Sequence, residues 1–177
     1  EKFNIKKVKK IVPGGSSGQE SIYNGLKAAE KIAGGEKSIV LIHDGVRPLI
    51  NEKTITDNIE SVKKHGSSIT CVKVKETVLV VAEDNSIEDV PNRADTRLAR
   101  APQSFYLDEI IGAHRKAMAE NKYDFIDSCS MMQYYGKKLY LIEGPQENIK
   151  ITTPDDFYTM RALLDAKEEA QIYGLDD

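Results

Sequence analysis

Asp44, Arg47 and Lys150 are the residues of this chain whose types and surroundings most directly suggest chemistry. The run Ser38-Ile39-Val40-Leu41-Ile42-His43-Asp44-Gly45-Val46-Arg47-Pro48 is apolar up to His43-Asp44, and a glycine, an arginine and a proline follow at once. Ligands of open α/β sheets bind beyond the carboxyl ends of the strands. An acid and a base at that edge can therefore hold a metal, a sugar hydroxyl or a phosphate. A strand followed by a turn with a surface ion pair fits the same residues. Asn148-Ile149-Lys150-Ile151-Thr152 alternates as a strand does, which sets Asn148, Lys150 and Thr152 on one face. A lysine there reaches an anion or guards an edge strand.

Gly14-Gly15-Ser16-Ser17-Gly18 lies between an expected short strand at 11–13 and a helix carrying Ile22, Leu26 and Ala29 on one face. Small residues in such a loop let backbone amides approach an anion, and a helix N-terminus adds favourable potential. The loop matches neither the dinucleotide fingerprint nor the Walker lysine pattern, and a plain βα turn fits it too. Arg93, Arg97 and Arg100 form a basic cluster ahead of Pro102-Gln103-Ser104-Phe105. His43, His65 and His114 have no metal-ligand spacing, and His114 falls on an apolar helix stripe, as a core histidine would. No serine pairs with a histidine and an acid in a nucleophile elbow, which argues against a covalent intermediate.

The elements that must position these residues alternate between strand and helix, the pattern of βαβ units and a mainly parallel sheet. The apolar run at 38–42 reads as a buried strand, followed by a helix over 54–64 with Ile55, Ile59 and Val62, then a strand over 68–74. Segments 77–82 and 87–90 flank Glu83-Asp84-Asn85-Ser86, a hairpin that interrupts the alternation and projects as an arm over about 75–95. An amphipathic helix over 106–121 carries Leu107, Ile110, Ile111, His114 and Met118 in its stripe, and a shorter helix follows Asp127. Strands are expected at 139–143 and 148–152. Thr153-Pro154-Asp155-Asp156 opens the last helix with a capping threonine, proline at the first position and acids in the first turn, so those acids read as helix-starting residues.

The 177 residues suit a single domain, 1–177, and 30% charged with 40% hydrophobic residues is ordinary for a globular chain. A net charge of −3 gives no electrostatic footprint for nucleic acid, and the cluster Lys6, Lys7, Lys9, Lys10 reads as a solvated helix face. No membrane-spanning run or signal peptide is visible, and Cys71 and Cys129 look like reduced core thiols, so a cytoplasmic location is expected.

Taken in order, these segments resemble the cytidylyltransferases that act on sugar-alcohol phosphates, among them the methylerythritol phosphate and ribitol phosphate enzymes. The matching pieces are Gly14-Gly15 through Ser21-Ile22-Tyr23-Asn24-Gly25-Leu26, then His43-Asp44-Gly45-Val46-Arg47-Pro48, Pro102-Gln103-Ser104-Phe105 and Glu147-Asn148-Ile149-Lys150-Ile151-Thr152. The resemblance implies an α/β, Rossmann-like nucleotidyltransferase fold and a sequential reaction. In it the phosphate of an alditol phosphate attacks the α-phosphorus of CTP, releasing pyrophosphate and a CDP-alditol. Such chemistry needs alignment and charge neutralisation more than a nucleophilic side chain. By the family pattern, Gly14, Gly15, Ser16 and Ser21 line the cytidine pocket, and Asp44 and Gly45 sit beside the ribose and phosphates. Asp44 is the expected Mg²⁺ contact, and Lys150 stabilises charge at the α-phosphate. Arg47, Thr77, Arg93 and Asp127 are expected to serve the alditol phosphate. The arm is expected to reach a second subunit, with Thr77 and Arg93 serving the partner's site in a homodimer.

Several positions depart from the family pattern. Gly18 stands where an arginine commonly follows the glycine pair. Ile126-Asp127-Ser128 replaces Thr-Asp-Asp or Thr-Asp-Glu, and Arg100-Ala101-Pro102-Gln103 replaces Gln-Thr-Pro-Gln; the resemblance implies that these positions touch the alditol, so a changed second substrate is expected. Val90-Pro91-Asn92-Arg93 and Asp127-Ser128-Cys129 are closer to the ribitol phosphate branch, which points towards wall or capsule polymers rather than isoprenoid precursors. The family's first strand and glycine-rich triphosphate loop have no match here. The resemblance therefore implies a truncated piece of a longer enzyme with little activity alone. A non-catalytic nucleotide-binding or dimerisation module, and a transferase using another nucleotide, are the competing expectations.

Overall fold

The computed structural model describes residues 5–173. The first helix, α1 (Gly18–Ala33), starts where Ser17 accepts from the Glu20 amide through its side chain and ends at Gly34, whose φ of 59° favours glycine. Strand β1 (Ile39–Ile42) leads to α2 (Glu52–His65), which is capped by Asn51. Strand β2 (Ser67–Lys73) follows, then the hairpin β3 (Val80–Val81) and β4 (Ile87–Asp89). Strand β5 (Arg97–Tyr106) runs directly into α3 (Leu107–Ala119). The chain continues through α4 (Ser128–Tyr134), β6 (Leu141–Glu143) and α5 (Pro154–Tyr173).

Four strands form one sheet in the order β1-β5-β2-β6. β1, β2 and β6 share a direction, and β5 alone runs against them, pairing antiparallel with both β1 and β2. Ile42 faces Gln103 across the first of these pairings, so the residues just before Gln103 lie beside those just after Ile42. The register of β2 against β5 shifts between Ile69 and Cys71, opposite the stretch Arg100-Ala101-Pro102. The shift falls in the stretch of β5 just before Gln103, beside the point where the chain leaves β1 towards Asp44.

α3 and α4 cover the face of Ile69, Gln103 and Phe105, and α1 packs on α3. The core there is built from Leu26, Ile69, Phe105, Ile110, Ile111 and Met131. Each such side chain contributes roughly 2 kcal/mol by leaving water. α2 covers the opposite face through a polar network. Asn58 is fully buried; its amide donates to Thr54 O (2.8 Å) and Thr70 Oγ1 (2.9 Å), and its carbonyl accepts from Ser104 Oγ (2.9 Å). Thr70 Oγ1 in turn donates to Pro102 O (2.7 Å). Every polar group of this network has a partner, which is what permits its burial.

Several sequence expectations need correction. The helix over 54–64 exists, but the residues it buries are Thr54, Asn58 and Val62, while Ile55 is 39% exposed. Strand β5 was not anticipated, because two arginines and an interior proline disguise it. Residues 11–13 join no sheet among the described residues; Pro13 O is instead 3.4 Å from the Asn24 side-chain amide. Lys6, Lys7, Lys9 and Lys10 are exposed, as expected, but lie on no helix. The segment 148–152 is not a sheet strand: the Ile151 amide donates to Val46 O (2.9 Å), so the loop after β1 supplies its partner. Asn148 is buried there while Lys150 is half exposed, so the two do not share an environment. The hairpin arm is present with shorter strands, its turn closed by the Ala82 amide on Ser86 O (3.0 Å). At the start of α5, Asp156 accepts from the Thr152 and Thr153 amides (both 2.8 Å), which holds its carboxyl down at about 2 and accounts for it as a cap.

Candidate functional site

The end of β1 is shaped by its own loop. The Arg47 amide donates to Asp44 O (3.0 Å), and His43 Nε2 lies 2.9 Å from Arg47 O. A carbonyl only accepts, so Nε2 is the nitrogen that carries the proton. Arg47, 9% exposed, donates through Nε to Asp44 Oδ2 (2.9 Å) and through Nη1 to Asn148 O (3.1 Å). Asn148 is itself fixed, since its Nδ2 donates to Ala101 O (3.0 Å). These bonds bring Lys150 Nζ to 3.8 Å from Asp44 Oδ2. One carboxylate thus meets two cations from segments about a hundred residues apart.

Asp44, Arg47 and Lys150 line a cavity of about 340 Å³, whose other walls include Gln103, Asp127 and His114. Arg100, which also lines it, has its guanidinium pK pushed down by burial and by the charge of Arg47. Clustered cations of this kind are relieved by an anionic ligand. Asp127 caps α4, taking the Ser130 amide on Oδ1 (2.8 Å) and Gln103 Nε2 on Oδ2 (2.8 Å). Gln103 Oε1 accepts from the Cys129 amide (2.8 Å), so one glutamine fastens β5 to α4. The resemblance set the positions of Arg100, Gln103 and Ser128 against the alditol without giving any of them a bond, while His114 was expected only as a core histidine. The clustering of Arg100 with Pro102-Gln103 was the available signal. For Ser128 the signal was the resemblance, and for His114 there was none.

The glycine-rich loop stands apart from these charges. The Gly15 amide donates to Ser21 Oγ (2.9 Å), and Ser21 Oγ donates to Ser17 O (2.9 Å). The Glu20 carboxylate accepts from the Ser16 amide (2.6 Å) and from Ser16 Oγ (2.7 Å), which lowers its pK. The amides expected to face an anion are thus engaged within the chain. Any side chain at Gly15 would collide with Glu20, and a Cβ at Gly14 would come within contact distance of Ser21 Oγ. Ser16 lines a second cavity of about 440 Å³ with Glu20, Tyr23 and Lys27, and Gln19 and His114 border both cavities. Gly45 sits in the turn after Asp44 with open space around it. Thr77 and Arg93 do not line either cavity; they lie at the arm, where Arg93 Nη1 donates to Lys75 O (3.1 Å).

Among the described residues no three His, Cys, Asp or Glu side chains converge as a metal cage. Asp44 remains partly exposed, and only its Oδ2 is paired with Arg47 and Lys150. A single carboxylate of this kind fits Mg²⁺, which is usually held by one or two carboxylates together with substrate phosphates. Both cysteines are free thiols, and burial pushes both above their ordinary range, away from nucleophilic use. No helix of the described residues is long and apolar enough to cross a membrane.

Comparison with known proteins places this geometry. The family model described as "IspD: 2-C-methyl-D-erythritol 4-phosphate cytidylyltransferase" matches residues 2–166. A ribitol-5-phosphate cytidylyltransferase of Streptococcus agalactiae serotype V is 53% identical over 99% of this chain and 72% of its own length. One from Vibrio parahaemolyticus is 50% identical over 98% of this chain and 72% of its own length. A 2-C-methyl-D-erythritol 4-phosphate cytidylyltransferase of Clostridium novyi is 40% identical over 93% of this chain and 69% of its own length. Among solved structures, 4-diphosphocytidyl-2C-methyl-D-erythritol synthase from Anaerococcus prevotii superposes with a TM-score of 0.81 at 29% identity, covering 88% of this chain and 67% of that one.

Proposed function

The chain belongs to the 2-C-methyl-D-erythritol 4-phosphate cytidylyltransferase (IspD) family, and from that premise we propose that it transfers CMP from CTP to ribitol 5-phosphate. Pyrophosphate and a CDP-alditol are the products. The observation that carries the reading is the convergence of Asp44, Arg47, Lys150 and Arg100 on one cavity. An alditol phosphate oxygen must approach the α-phosphorus of CTP while negative charge gathers on both. Arg47 and Arg100 offer guanidinium forks to the acceptor phosphate, and Lys150 offers a mobile point charge to the α-phosphate. Asp44 keeps Arg47 and Lys150 oriented, and the fixed geometry spares reorganisation during the reaction. With Mg²⁺ bound, Asp44 is the residue that would hold it together with substrate phosphates, and the ion would neutralise phosphate charge.

The choice of ribitol 5-phosphate rests on the identities of 53% and 50% to relatives of that name against 40% to a methylerythritol phosphate enzyme. Methylerythritol phosphate is the second reading, supported by the family model itself. The product would feed polyol-containing wall or capsule polymers made from cytoplasmic precursors. The apolar, exposed hairpin, with Val81 56% and Ile87 60% accessible, supports a homodimer in which the arm carries Thr77 and Arg93 to the partner's site.

Pyrophosphate release by the complete gene product, with CTP or UTP and each alditol phosphate in turn, tests this. Ribitol 5-phosphate with CTP should give the highest kcat/KM. Preference for UTP, or for methylerythritol phosphate, would overturn the substrate assignment.

A further inference from the structure

Two buried polar atoms on residues of the cavity wall have no partner among the described residues: His114 Nε2 and Ser128 Oγ. His114 is 1% exposed and Ser128 2%, so bulk water does not serve them, and groups this buried normally carry a hydrogen bond. The two glutamines of the same wall are satisfied. Gln19 spans Lys122 O (2.9 Å) and the Phe125 amide (3.1 Å), and Gln103 spans Asp127 and the Cys129 amide (both 2.8 Å). Unmet hydrogen-bonding capacity is therefore found on α3 and α4, deeper in the wall than the half-exposed Asp44 and Lys150.

The chemistry of the two groups selects what they can bind. A hydroxyl donates and accepts, and an uncharged imidazole nitrogen does one or the other. Burial keeps the imidazole uncharged, pushing its pK from 6.5 to about 4. The cations already serve the phosphate, and both groups suit neutral hydroxyls. Resting on the alditol phosphate reading, we infer that His114 and Ser128 are specificity-determining residues that hydrogen-bond the carbon-chain hydroxyls of the polyol. Its phosphate stays with Arg47, Arg100 and Lys150. A site built to hydrogen-bond a substrate hydroxyl discriminates strongly against an analogue that lacks it.

Ser128→Ala and His114→Leu in the complete gene product test this, with ribitol 5-phosphate as substrate and pentyl phosphate, which has no hydroxyls, as competitive inhibitor. Each variant should raise KM for ribitol 5-phosphate roughly tenfold, the loss of about one hydrogen bond. KM for CTP and inhibition by pentyl phosphate should stay as in the wild type. The thermal midpoint of Ser128→Ala should also hold, because its hydroxyl has no partner among the described residues. Unchanged KM for ribitol 5-phosphate in both variants overturns the inference, as does an equal loss for CTP and pentyl phosphate. Failure of the wild type to turn over any alditol phosphate is a separate outcome, which overturns the underlying reading as well.

Discussion

Arg47 and Asn148 are joined through a backbone carbonyl: the guanidinium donates to Asn148 O at 3.1 Å while its Nε holds Asp44 at 2.9 Å. One side chain therefore sets both the acid at the end of β1 and the strand-like segment that carries Lys150. Lysine carries its donors on one nitrogen and cannot reproduce the spacing of Nε and Nη1 that reaches both acceptors. Arg47→Lys should lower kcat/KM by about a hundredfold, in the range seen when one charge-stabilising donor is lost. The Ile151 amide, bonded to Val46 O, should also exchange its hydrogen faster. Wild-type kinetics with unchanged exchange would sink this account.

Asn58 should be the most costly polar residue in the fold to remove. Asn58→Ala strands the Ser104 hydroxyl and deprives Thr70 of a donor, at about 3 kcal/mol for a cavity plus broken buried hydrogen bonds. Urea denaturation measures it. A loss below about 1 kcal/mol would show that the network is dispensable.

His114 predicts a pH dependence of stability. Its folded pK of about 4 lies below the unfolded 6.5, so the unfolded chain binds more protons between those values. Stability from this group is full above pH 6.5 and lost as pH falls to about 4, by up to about 3 kcal/mol. His114→Leu should flatten that part of the stability curve. An equally steep curve in the variant would assign the effect elsewhere.

Glu20 should act as the latch of the glycine-rich loop. Its hydrogen bonds from Ser16 keep it ionised below its ordinary pK of 4.5, so the latch persists into mild acid and opens as the carboxylate takes up a proton. Glu20→Ala should speed exchange of the Ser16 amide at neutral pH, where the wild type is protected. Equal exchange rates in the two proteins would rule the latch out.

Much of this arrangement could be read from sequence wherever local chemistry and tertiary role agree. The caps at Ser17, Thr153 and Asp156, the apolar stripe of α3 and the acid after β1 all obey short-range rules. β5 was hidden because Arg97, Arg100 and Pro102 break strand patterning; the register shift against β2 falls at Arg100-Ala101-Pro102. Asn58, Thr70 and Ser104 are of types usually exposed, and only each other's company makes their burial tolerable. Alternation suggested a strand at 148–152, yet its partner is a loop, a fact that no local pattern encodes. Gln103 and Asp127 are 24 positions apart, and their bond exists only once β5 and α4 are stacked.

The reversed direction of β5 makes the hairpin and the cavity wall one piece of chain. β5 enters the sheet beside the end of β2, meets the end of β1 at Gln103 and leaves at the start of β1, where the Leu107 amide meets Ser38 O (2.9 Å). Between Arg93 and Arg100 lie only one 3-10 turn (Arg93–Asp95), closed at Thr96, and the start of the strand. A pull on the arm would act on the wall as on one end of a lever whose fulcrum is the β2 ladder. Docking of the arm and tightness of the cavity would then be mechanically linked.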